Sequence, residues 1–322
     1  MSAPADMNAP IRMDAPADSA HPAPLADGSP QGAAACGPRP LILPGATLGV
    51  MGGGQLGRMF VHAAQRLGYF TAVLDPDAFS PAGRVSHHHI NFGYSDVQGL
   101  AQLAGLCAAV TTEFENVPAA SLQTLAESCP VAPGAAAVAI AQDRIQEKAH
   151  FTASAGVAGV TCAPNAVIKT QEQLQAVPAD LLPGILKTAR MGYDGKGQVR
   201  VKDASELAQA WLELEKVPCV LEKLLPLKAE CSVIVARGWD GAIVGFAPQR
   251  NVHVDGILAV TEAFEGALPP ALAARAQEAA RAIARHIDYV GVLCVEFFVL
   301  DDGSEHGALV VNEIAPRPHN SG

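Results

Sequence analysis

Apolar and polar positions follow a strand, turn, helix and strand order from residue 47 onward. The run TLGVM is mostly apolar, a glycine-rich turn follows, and the next segment has the apolar spacing of an amphipathic helix before a second apolar run ends near residue 77. The same alternation continues to about residue 134. Because a strand–helix–strand order predicts a parallel sheet, we expect one α/β domain here.

The spacing changes near residue 140, which predicts a second unit. Residues 140–156 have a helical pattern ending at a glycine, and a strand near 160–168 and a helix near 171–176 should follow. The strands GILKTA and VRV flank a short loop and precede the helix ASELAQAWLEL and the strand PCVLEKLL. Strands joined across short loops imply an antiparallel sheet with helices on one side, an α+β arrangement.

A third unit contains the strands AECSVIVARG and GAIVGFAPQ, an alanine-rich helix from about 271 to 287, and two closing strands. Each closing strand carries one glutamate among apolar residues: Glu296 in VLCVEFFVL and Glu313 in ALVVNEIAP. A carboxylate buried among such residues is costly unless a cation or hydrogen bonds compensate it. Two of them on neighbouring strands predict a site for a divalent metal.

A glycine-rich loop with one lysine lies upstream of these strands. Such a loop turns backbone N–H groups toward an anion. Lys187, at the end of the strand GILKTA, could reach solvent or contact a phosphate, and the nearby loop favours the phosphate. The loop and the metal carboxylates together predict an enzyme that uses a nucleoside triphosphate. The loop residues are Gly192, Tyr193, Asp194, Gly195, Lys196, Gly197 and Gln198.

Gly52, Gly54 and Gly57 match GxGxxG between a strand and a helix, and Asp75 ends the next strand. This pattern is typical of dinucleotide binding, so an NAD(P)-dependent dehydrogenase is one alternative, and a tight turn needed only for packing is another. Glu113 follows an apolar run at the expected carboxyl end of a strand, where it could contact a substrate or cap a helix.

Two further segments contain histidines that are candidates for a site. In the closing APRPHNSG, Arg317 could bind an anion while His319 and Asn320 orient a small substrate, or the segment could be a tight polar turn. The triplet at 87–89 fits ordinary surface or edge positions better than a metal site, because strand neighbours point to opposite faces.

Composition narrows the class of function. The net charge is −10 with 17% charged residues, which argues against nucleic acid or an anionic membrane as the partner. No apolar run approaches the length of a membrane helix. The seven cysteines form no CxxC pair and favour a reducing compartment. Residues 1–44, rich in alanine and proline, are expected to be a disordered extension.

Taken together, these motifs resemble the N5-carboxyaminoimidazole ribonucleotide synthases, ATP-grasp ligases of purine biosynthesis. The resemblance rests on GGGQLGRM, LDPD, EFENVP, AQDR, GYDGKGQ, NVHVDGIL, YVGVLCVEFFV and NEIAPRPHNSG, and it covers residues 47–322. The related formate-dependent glycinamide ribonucleotide transformylases typically show GELG, a serine-rich loop and RPHDTG. Here GQLG, GYDGKGQ and RPHNSG favour the carboxylating family, with the transformylase kept as an alternative.

The resemblance implies an α/β and α+β chain in which an ATP-grasp fold follows a Rossmann-like parallel-sheet domain. It implies a substrate domain at 45–140, a small ATP-grasp subdomain with a lid loop at 141–225, and a large subdomain at 226–322. The family's small C-terminal domain is expected to be missing, so a non-catalytic ATP-binding module is a further alternative. The implied activity is ATP-dependent carboxylation of aminoimidazole ribonucleotide by bicarbonate, through carboxyphosphate, in a cytoplasmic homodimer.

The resemblance also assigns roles to individual residues. Glu296 and Glu313 would hold Mg²⁺. Arg317, His319 and Asn320 would meet bicarbonate and the reacting amine. The residues expected around the ribonucleotide are Gln55, Leu56, Glu113, Tyr193 and Asp194. Those expected around ATP, besides loop 192–198, are Arg144, Lys187, Glu222, Lys223, Leu224, Leu225, Glu230, His253 and Asn312.

Overall fold

The computed structural model describes residues 41–192, 197–254, 257–264, 266–304 and 307–322. Residues from Ile42 onward form one compact unit that contains three sheets. The predicted extension at 1–44 lies outside the described residues except for its last four positions. Among the helices that the model describes, none has the length and apolar character needed to span a bilayer.

The first sheet is parallel throughout, with the order β3-β2-β1-β4, which confirms the predicted α/β domain. Its central strands are buried on both faces, as is usual when helices cover a parallel sheet. Its strands are β1 Thr47–Met51, β2 Phe70–Leu74, β3 His88–Ile90 and β4 Ala109–Thr112. Its helices are α1 Gln55–Arg66, α2 Val97–Leu106 and α3 Ala119–Ala126, with a 3₁₀ turn at Gly83–Val85.

The predicted helix over 140–156 is divided in the structure. Helix α4 Ala135–Ala141 ends before Asp143, whose carboxylate accepts a hydrogen bond from Ile145 N and begins helix α5 Arg144–Ala158. Helix α5 then passes through the glycine at 156 and ends at Gly159, which has φ 64°. A glycine inside a helix is tolerated, whereas the left-handed conformation at Gly159 terminates it.

The second sheet is antiparallel with the order β6-β9-β7-β8, as predicted. Its apolar face packs against one helix through Leu186, Leu207 and Trp211. The strands are β6 Asn165–Ile168, β7 Gly184–Thr188, β8 Gln198–Val201 and β9 Cys219–Lys223. The helices are α6 Gln171–Gln175 and α7 Ala204–Glu213, with a 3₁₀ turn at Ala179–Leu181.

The third sheet is larger and has the order β13-β12-β10-β14-β15-β5, with one short strand added at β10. Helix α8 Pro270–His286 covers one face through Ala276, Ala280 and Ile283. The strands are β5 Thr161–Cys162, β10 Leu227–Arg237, β11 Ile243–Gly245, β12 Gln249–Val254, β13 Ile257–Glu262, β14 Gly291–Leu300 and β15 Leu309–Ala315.

Two expectations for these sheets were wrong. The single strand predicted near 160–168 is two strands in different sheets, because β5 pairs with β15 whereas β6 pairs with β9. The hairpin β12–β13 was not predicted at all. Within the predicted small subdomain 141–225, helix α5 packs against α8 and β5 pairs with β15 of the large sheet.

Candidate active site

Glu296 and Glu313 are direct Cα partners on the antiparallel strands β14 and β15. Opposed residues in such a ladder project to the same face of the sheet. The register shifts immediately after this pair, since the next partners are Phe297 and Val311. Asn312 is therefore an extra residue on β15, and the structure brings together the two glutamates that the sequence singled out.

The surroundings of Glu313 are cationic. Its Oε2 lies 3.1 Å from Nη1 of Arg144 on α5. Burial alone would raise the pKa of Glu313, but the charges of Arg144 and Lys187 hold it below its ordinary value. Next to it, the side-chain oxygen of Asn312 is buried and finds no hydrogen-bond donor among the described residues. Carboxylates beside an unsatisfied amide oxygen form a donor set that suits a hard cation such as Mg²⁺.

Lys187 lies in a buried triad with Glu222 and Lys148. Its Nζ is 3.0 Å from Oε2 of Glu222 on β9, and Lys148 Nζ is 3.3 Å from the other oxygen of that carboxylate. Burial raises the pKa of Glu222, but the two lysines outweigh it and lower the pKa to about 2. Two cations thus share one carboxylate, which leaves this part of the site attractive to an anion.

Helix α5 connects this triad to Glu313 and its neighbours on β15, a feature that sequence analysis missed. Lys148 Nζ donates to the backbone oxygen of Asn312 at 2.6 Å, and Glu147 Oε1 accepts from Ile314 N at 2.8 Å. With the Arg144 contact to Glu313, three residues of one helical face therefore hold consecutive residues of β15. Glu147 and Lys148 follow Arg144 by three and four residues, which places all three on one face of α5.

The glycine-rich loop begins and ends beside Lys187. Of its predicted residues, Tyr193, Asp194, Gly195 and Lys196 lie outside the described residues, and Gly192 is the last one described before them. Gln198 is the Cα partner of Lys187, and Thr188 N donates to Gly197 O at 2.8 Å. Gly197 has φ 71°, and a Cβ there would lie 2.6 Å from Thr188 Oγ1, so this position requires glycine.

The segment from Glu222 to Leu225, which was expected around ATP, is the crossover from the small sheet to the large one. Strand β9 ends at Lys223, whose N–H donates to Pro164 O, and Leu224 N donates to Pro183 O. Leu225 follows outside any strand, and the chain then enters β10 at Leu227. This segment therefore borders the cleft between the two sheets.

Glu230 and His253 also meet, because Glu230 Oε2 lies 2.9 Å from Nδ1 of His253 on β12. Burial raises the pKa of Glu230 and outweighs the opposite effect of His253, while Glu296 and Glu313 raise the pKa further. This influence places the Glu230–His253 pair in the same electrostatic environment as Glu296 and Glu313.

The three predicted residues of the closing segment have different surroundings from one another. Arg317 Nε donates to Glu115 Oε2 at 2.5 Å, so this cation has a partner from the loop after β4. His319 Nε2 lies 3.1 Å from Glu296 Oε1. Asn320 is exposed. The structure thus brings His319 into contact with Glu296 and Arg317 into contact with the first domain.

A buried hydrogen-bond chain orients His319. The N–H of Ser321 donates to His319 Nδ1 at 3.2 Å, so that nitrogen must accept and Nε2 carries the proton that faces Glu296. Ser321 Oγ lies 2.8 Å from the same nitrogen and accepts from Ser232 Oγ at 2.9 Å. Asn251 Nδ2 donates to Ser232 Oγ at 3.0 Å. Sequence analysis missed these residues, which carry no motif.

The GxGxxG turn is filled by the chain's own carboxylates. Gly53 N donates to Asp75 Oδ2 at 2.7 Å, whereas Gly54 N and Gly57 N donate to the two oxygens of Glu113 at 2.9 and 3.0 Å. The structure thus gives Glu113 the capping position on α1. A dinucleotide pyrophosphate would need these same N–H groups, so the geometry favours the packing interpretation of the turn over the dehydrogenase.

The turn nevertheless presents two of the predicted substrate residues. Gln55, which is exposed, and the half-buried Leu56 begin α1, directly beside the Glu113 carboxylate. The capping contact therefore brings Gln55, Leu56 and Glu113 together. The histidine triplet at 87–89 belongs to the edge of the first sheet, where β3 lies. His87 Nδ1 accepts a hydrogen bond from Thr71 N, which favours an edge position over a metal site.

A cavity of about 650 Å³ opens near the loop but is separate from the carboxylates. It is lined by Thr188, Gly197, Leu214 and Pro218 among others. Its lining includes neither Lys187 nor the glutamates Glu296 and Glu313.

Comparison with protein families matches almost all of the described chain. A model described as the ribonucleotide synthetase preATP-grasp domain matches residues 45–142. A model described as the ATP-grasp domain matches residues 154–322.

Curated relatives and solved structures agree. The N5-carboxyaminoimidazole ribonucleotide synthase of Brucella melitensis is 44% identical over 288 residues, 87% of this chain and 76% of the relative. The N5-carboxyaminoimidazole synthetase of Staphylococcus aureus, solved with ADP, has a TM-score of 0.78 at 37% identity and covers 87% of this chain and 73% of its own. The Aspergillus clavatus synthase, solved with ADP and 5-aminoimidazole ribonucleotide, has a TM-score of 0.77 at 31% identity, with coverages of 86% and 71%.

Proposed function

The chain belongs to the N5-carboxyaminoimidazole ribonucleotide synthases, ATP-dependent carbon–nitrogen ligases of the ATP-grasp superfamily, and on this premise we propose its reaction and the roles of its residues. The reaction is ATP-dependent carboxylation of 5-aminoimidazole ribonucleotide by bicarbonate, in purine biosynthesis. The products are N5-carboxyaminoimidazole ribonucleotide, ADP and phosphate. The observation that carries the proposal is the Glu296–Glu313 pair, which lies within one charged network with Arg144 and Lys187.

ATP occupies the cleft between the small and large sheets. Lys187 and Arg144 face its phosphates: Lys187 is a buried cation that shares its carboxylate partner with Lys148, and the partly buried Arg144 contacts Glu313. Loop 192–198 covers the phosphates and limits access of water. The adenine contacts the backbone of 222–225, and the Glu230–His253 pair contacts the ribose.

Mg²⁺ is held by Glu296 and Glu313, with Asn312 beside them. The unsatisfied side-chain oxygen of Asn312 supports this assignment, since a buried amide oxygen needs a donor or a cation. When bound, the ion supplies charge neutralisation at the β- and γ-phosphates. Removing it with a chelator should abolish ATP turnover.

The chemistry requires activation of bicarbonate, whose own leaving group would be hydroxide. A bicarbonate oxygen attacks the γ-phosphorus and displaces ADP, which forms carboxyphosphate. The exocyclic amine of the ribonucleotide then attacks the carboxyl carbon, phosphate leaves, and the proton lost by the amine can leave with it. Lys187 and Arg144 stabilise the negative charge that develops on the transferred group.

The remaining residues position the two smaller substrates. His319, with its proton directed at Glu296, lies where bicarbonate and the amine would meet. Arg317 and Asn320 complete this subsite in the proposal. Gln55, Leu56 and Glu113 contact the ribonucleotide, and Tyr193 and Asp194 approach it from the loop.

The finer organisation is also part of the proposal. We infer a homodimer in the cytoplasm, in keeping with the six described cysteines, all of which are free. We retain the division at 45–140, 141–225 and 226–322, although α5 and β5 contact the large sheet.

The test is a product assay with substrate alternatives. ADP formation should require both bicarbonate and aminoimidazole ribonucleotide, and Lys187→Ala should weaken ATP binding. Dependence on formate and glycinamide ribonucleotide would instead identify the transformylase. Titration with a reduced nicotinamide nucleotide, followed by its fluorescence, should show no binding. Lack of any substrate-dependent ADP formation would contradict the proposal.

A further inference from the structure

Cys294 lies two residues before Glu296 on β14, on the same face of the strand and beneath the closing segment. It is fully buried, with Ile234 and Ala315 as its neighbours in the sheet. The side chains of Glu296 and His319 retain 12% and 7% exposure, so the group is not sealed from the cleft. One ligand atom from each of Cys294, Glu296 and His319 lies within 4.8 Å of the others.

These three side chains offer sulfur, oxygen and nitrogen, a donor set that Mg²⁺ does not use. Mg²⁺ takes oxygen ligands and gains nothing from a thiol. Zn²⁺ binds Cys, His and carboxylate, and its catalytic sites have three protein ligands with a fourth position open. The sequence motif and the proposed reaction account for Glu296 and His319 but leave Cys294 without a role.

The distances are close to what zinc requires. Bond lengths of about 2.0–2.3 Å in a tetrahedral site place neighbouring ligand atoms about 3.3–3.6 Å apart. His319 Nε2 and Glu296 Oε1 are already 3.1 Å apart. Since all three ligand atoms lie within 4.8 Å of one another, the sulfur would have to approach by at most about 1.5 Å to reach the spacing of a zinc site.

We propose that Cys294, Glu296 and His319 form a binding site for Zn²⁺ and similar soft divalent ions. The ion displaces the thiol proton of Cys294, which passes to solvent. His319 binds the ion as a neutral imidazole, so its ring proton moves from Nε2 to Nδ1, where Ser321 Oγ, 2.8 Å away, accepts its hydrogen bond. Because Glu296 belongs to this site and to the proposed magnesium site, bound zinc excludes magnesium from that carboxylate. Zinc is therefore an inhibitor whose affinity depends on Cys294, a residue that the magnesium-dependent reaction does not use.

Co²⁺ provides a direct probe, because a thiolate bound to it gives a charge-transfer absorption band. The full chain, free of nucleotide and magnesium, is titrated with Co²⁺, and Zn²⁺ affinity is measured by competition with a chromophoric chelator. Cys294→Ala should remove the band and weaken zinc binding by about 100-fold or more, as expected for loss of a ligand. Cys294→Ser, which preserves the side-chain volume, should also remove the band.

Cys231→Ala is the matched control. Cys231 is equally buried on the neighbouring strand β10, but it packs in the core under α8. This variant should keep both the band and the zinc affinity. Any absorption shared by all variants comes from other thiols. The site is therefore measured by the difference in band and in zinc affinity between the Cys294 variants and the Cys231 variant.

Two results would overturn the proposal: full retention of the band and of zinc affinity in both Cys294 variants, or no band in the unaltered chain. In a magnesium–ATP assay, Cys294→Ala should keep its basal turnover and resist zinc inhibition. Because the metal titrations contain no substrate, their outcome is independent of whether the proposed carboxylation is correct.

Discussion

The glycine turn of the first domain and the cleft between the two other sheets both attract anions, but they are satisfied differently. In the turn, three backbone N–H groups donate to carboxylates of the chain itself. In the cleft, Lys148 and Lys187 share the single carboxylate of Glu222, and the Asn312 amide oxygen lacks a donor among the described residues. The first region is internally complete, whereas the second leaves a polar group for the proposed ligand to satisfy.

This difference shows what a phosphate-binding motif can predict. GxGxxG correctly predicts an anion at the start of a helix, because the exposed N–H groups require one. It does not predict whether the anion is a ligand or a side chain. Glu113 decides that question here, and it comes from a strand that lies 56 or more residues away in the sequence from the glycines it contacts.

The largest expected effect tests whether the cleft depends on its ligand. Glu313→Ala should lower ATP turnover by on the order of 10³-fold or more, since it removes a carboxylate that neutral residues cannot replace. Steady-state ADP formation measures this effect. Glu262→Ala, which removes a comparably exposed acid that pairs with Arg250 on strand β13 of the same sheet, is the control and should retain activity. Equal activity in the two variants would contradict the metal assignment.

The parts of this cleft that sequence analysis identified are those that violate a local pattern. Glu296 and Glu313 interrupt apolar strands, and glycines cluster around Lys196 in the sequence. Lys148 and Glu147 violate nothing, since charged residues are ordinary in a helix. Their importance arises because the fold buries that face of α5 between β9 and β15, which a local pattern cannot indicate.

The fold shows the same division between local and nonlocal information. The parallel sheet and the antiparallel small sheet follow from local periodicity. The hairpin β12–β13 was missed although Asp255-Gly256 between alternating residues is a hairpin signal. The placement of β5 was not predictable from local periodicity, because a strand of two residues is too short to specify which sheet it joins. Its sheet is defined only by its pairing with β15.

The next effect tests whether Lys148 is structural. Lys148→Met should lower the free energy of unfolding by about 3 kcal/mol or more, because it leaves one oxygen of the buried Glu222 carboxylate and the Asn312 carbonyl without their partner. Urea unfolding measures it, with Lys148→Arg as the charge-preserving control. A loss of unfolding free energy below about 1 kcal/mol would instead show that the Lys148–Glu222 contact is as weak as a surface ion pair.

A pH experiment separates Glu147 from the other acids of the cleft. Burial, with Glu313 adding to it, raises the pKa of Glu147 to about 7 against the opposite effect of Lys148. Between the ordinary pKa of 4.5 and this value, the folded state holds a proton that the unfolded state has lost. Stability from this group is therefore fully present below pH 4.5 and is lost as the pH rises through 7.

Glu147→Gln removes that dependence while keeping an acceptor for Ile314 N. Unfolding free energies of the two proteins, measured in chelator across this pH range, should diverge by about 3 kcal/mol in favour of the variant at high pH. Glu222 cannot produce this divergence, because its pKa of about 2 lies below the range. A constant difference between the two proteins would show that Glu147 is charged throughout.

The smallest expected effect concerns the glycine turn of the first domain, whose N–H groups are satisfied by the chain itself. Glu113→Ala should lower the free energy of unfolding by about 2 kcal/mol, since Gly54 N and Gly57 N lose their acceptor. Glu113→Gln retains a side-chain oxygen and should lose less. If the carboxylate stands in for a bound anion, inorganic phosphate should raise the melting temperature of the alanine variant more than that of the unaltered chain. If phosphate raised both melting temperatures equally, the glycine turn and the cleft would differ in packing and not in the source of their anion.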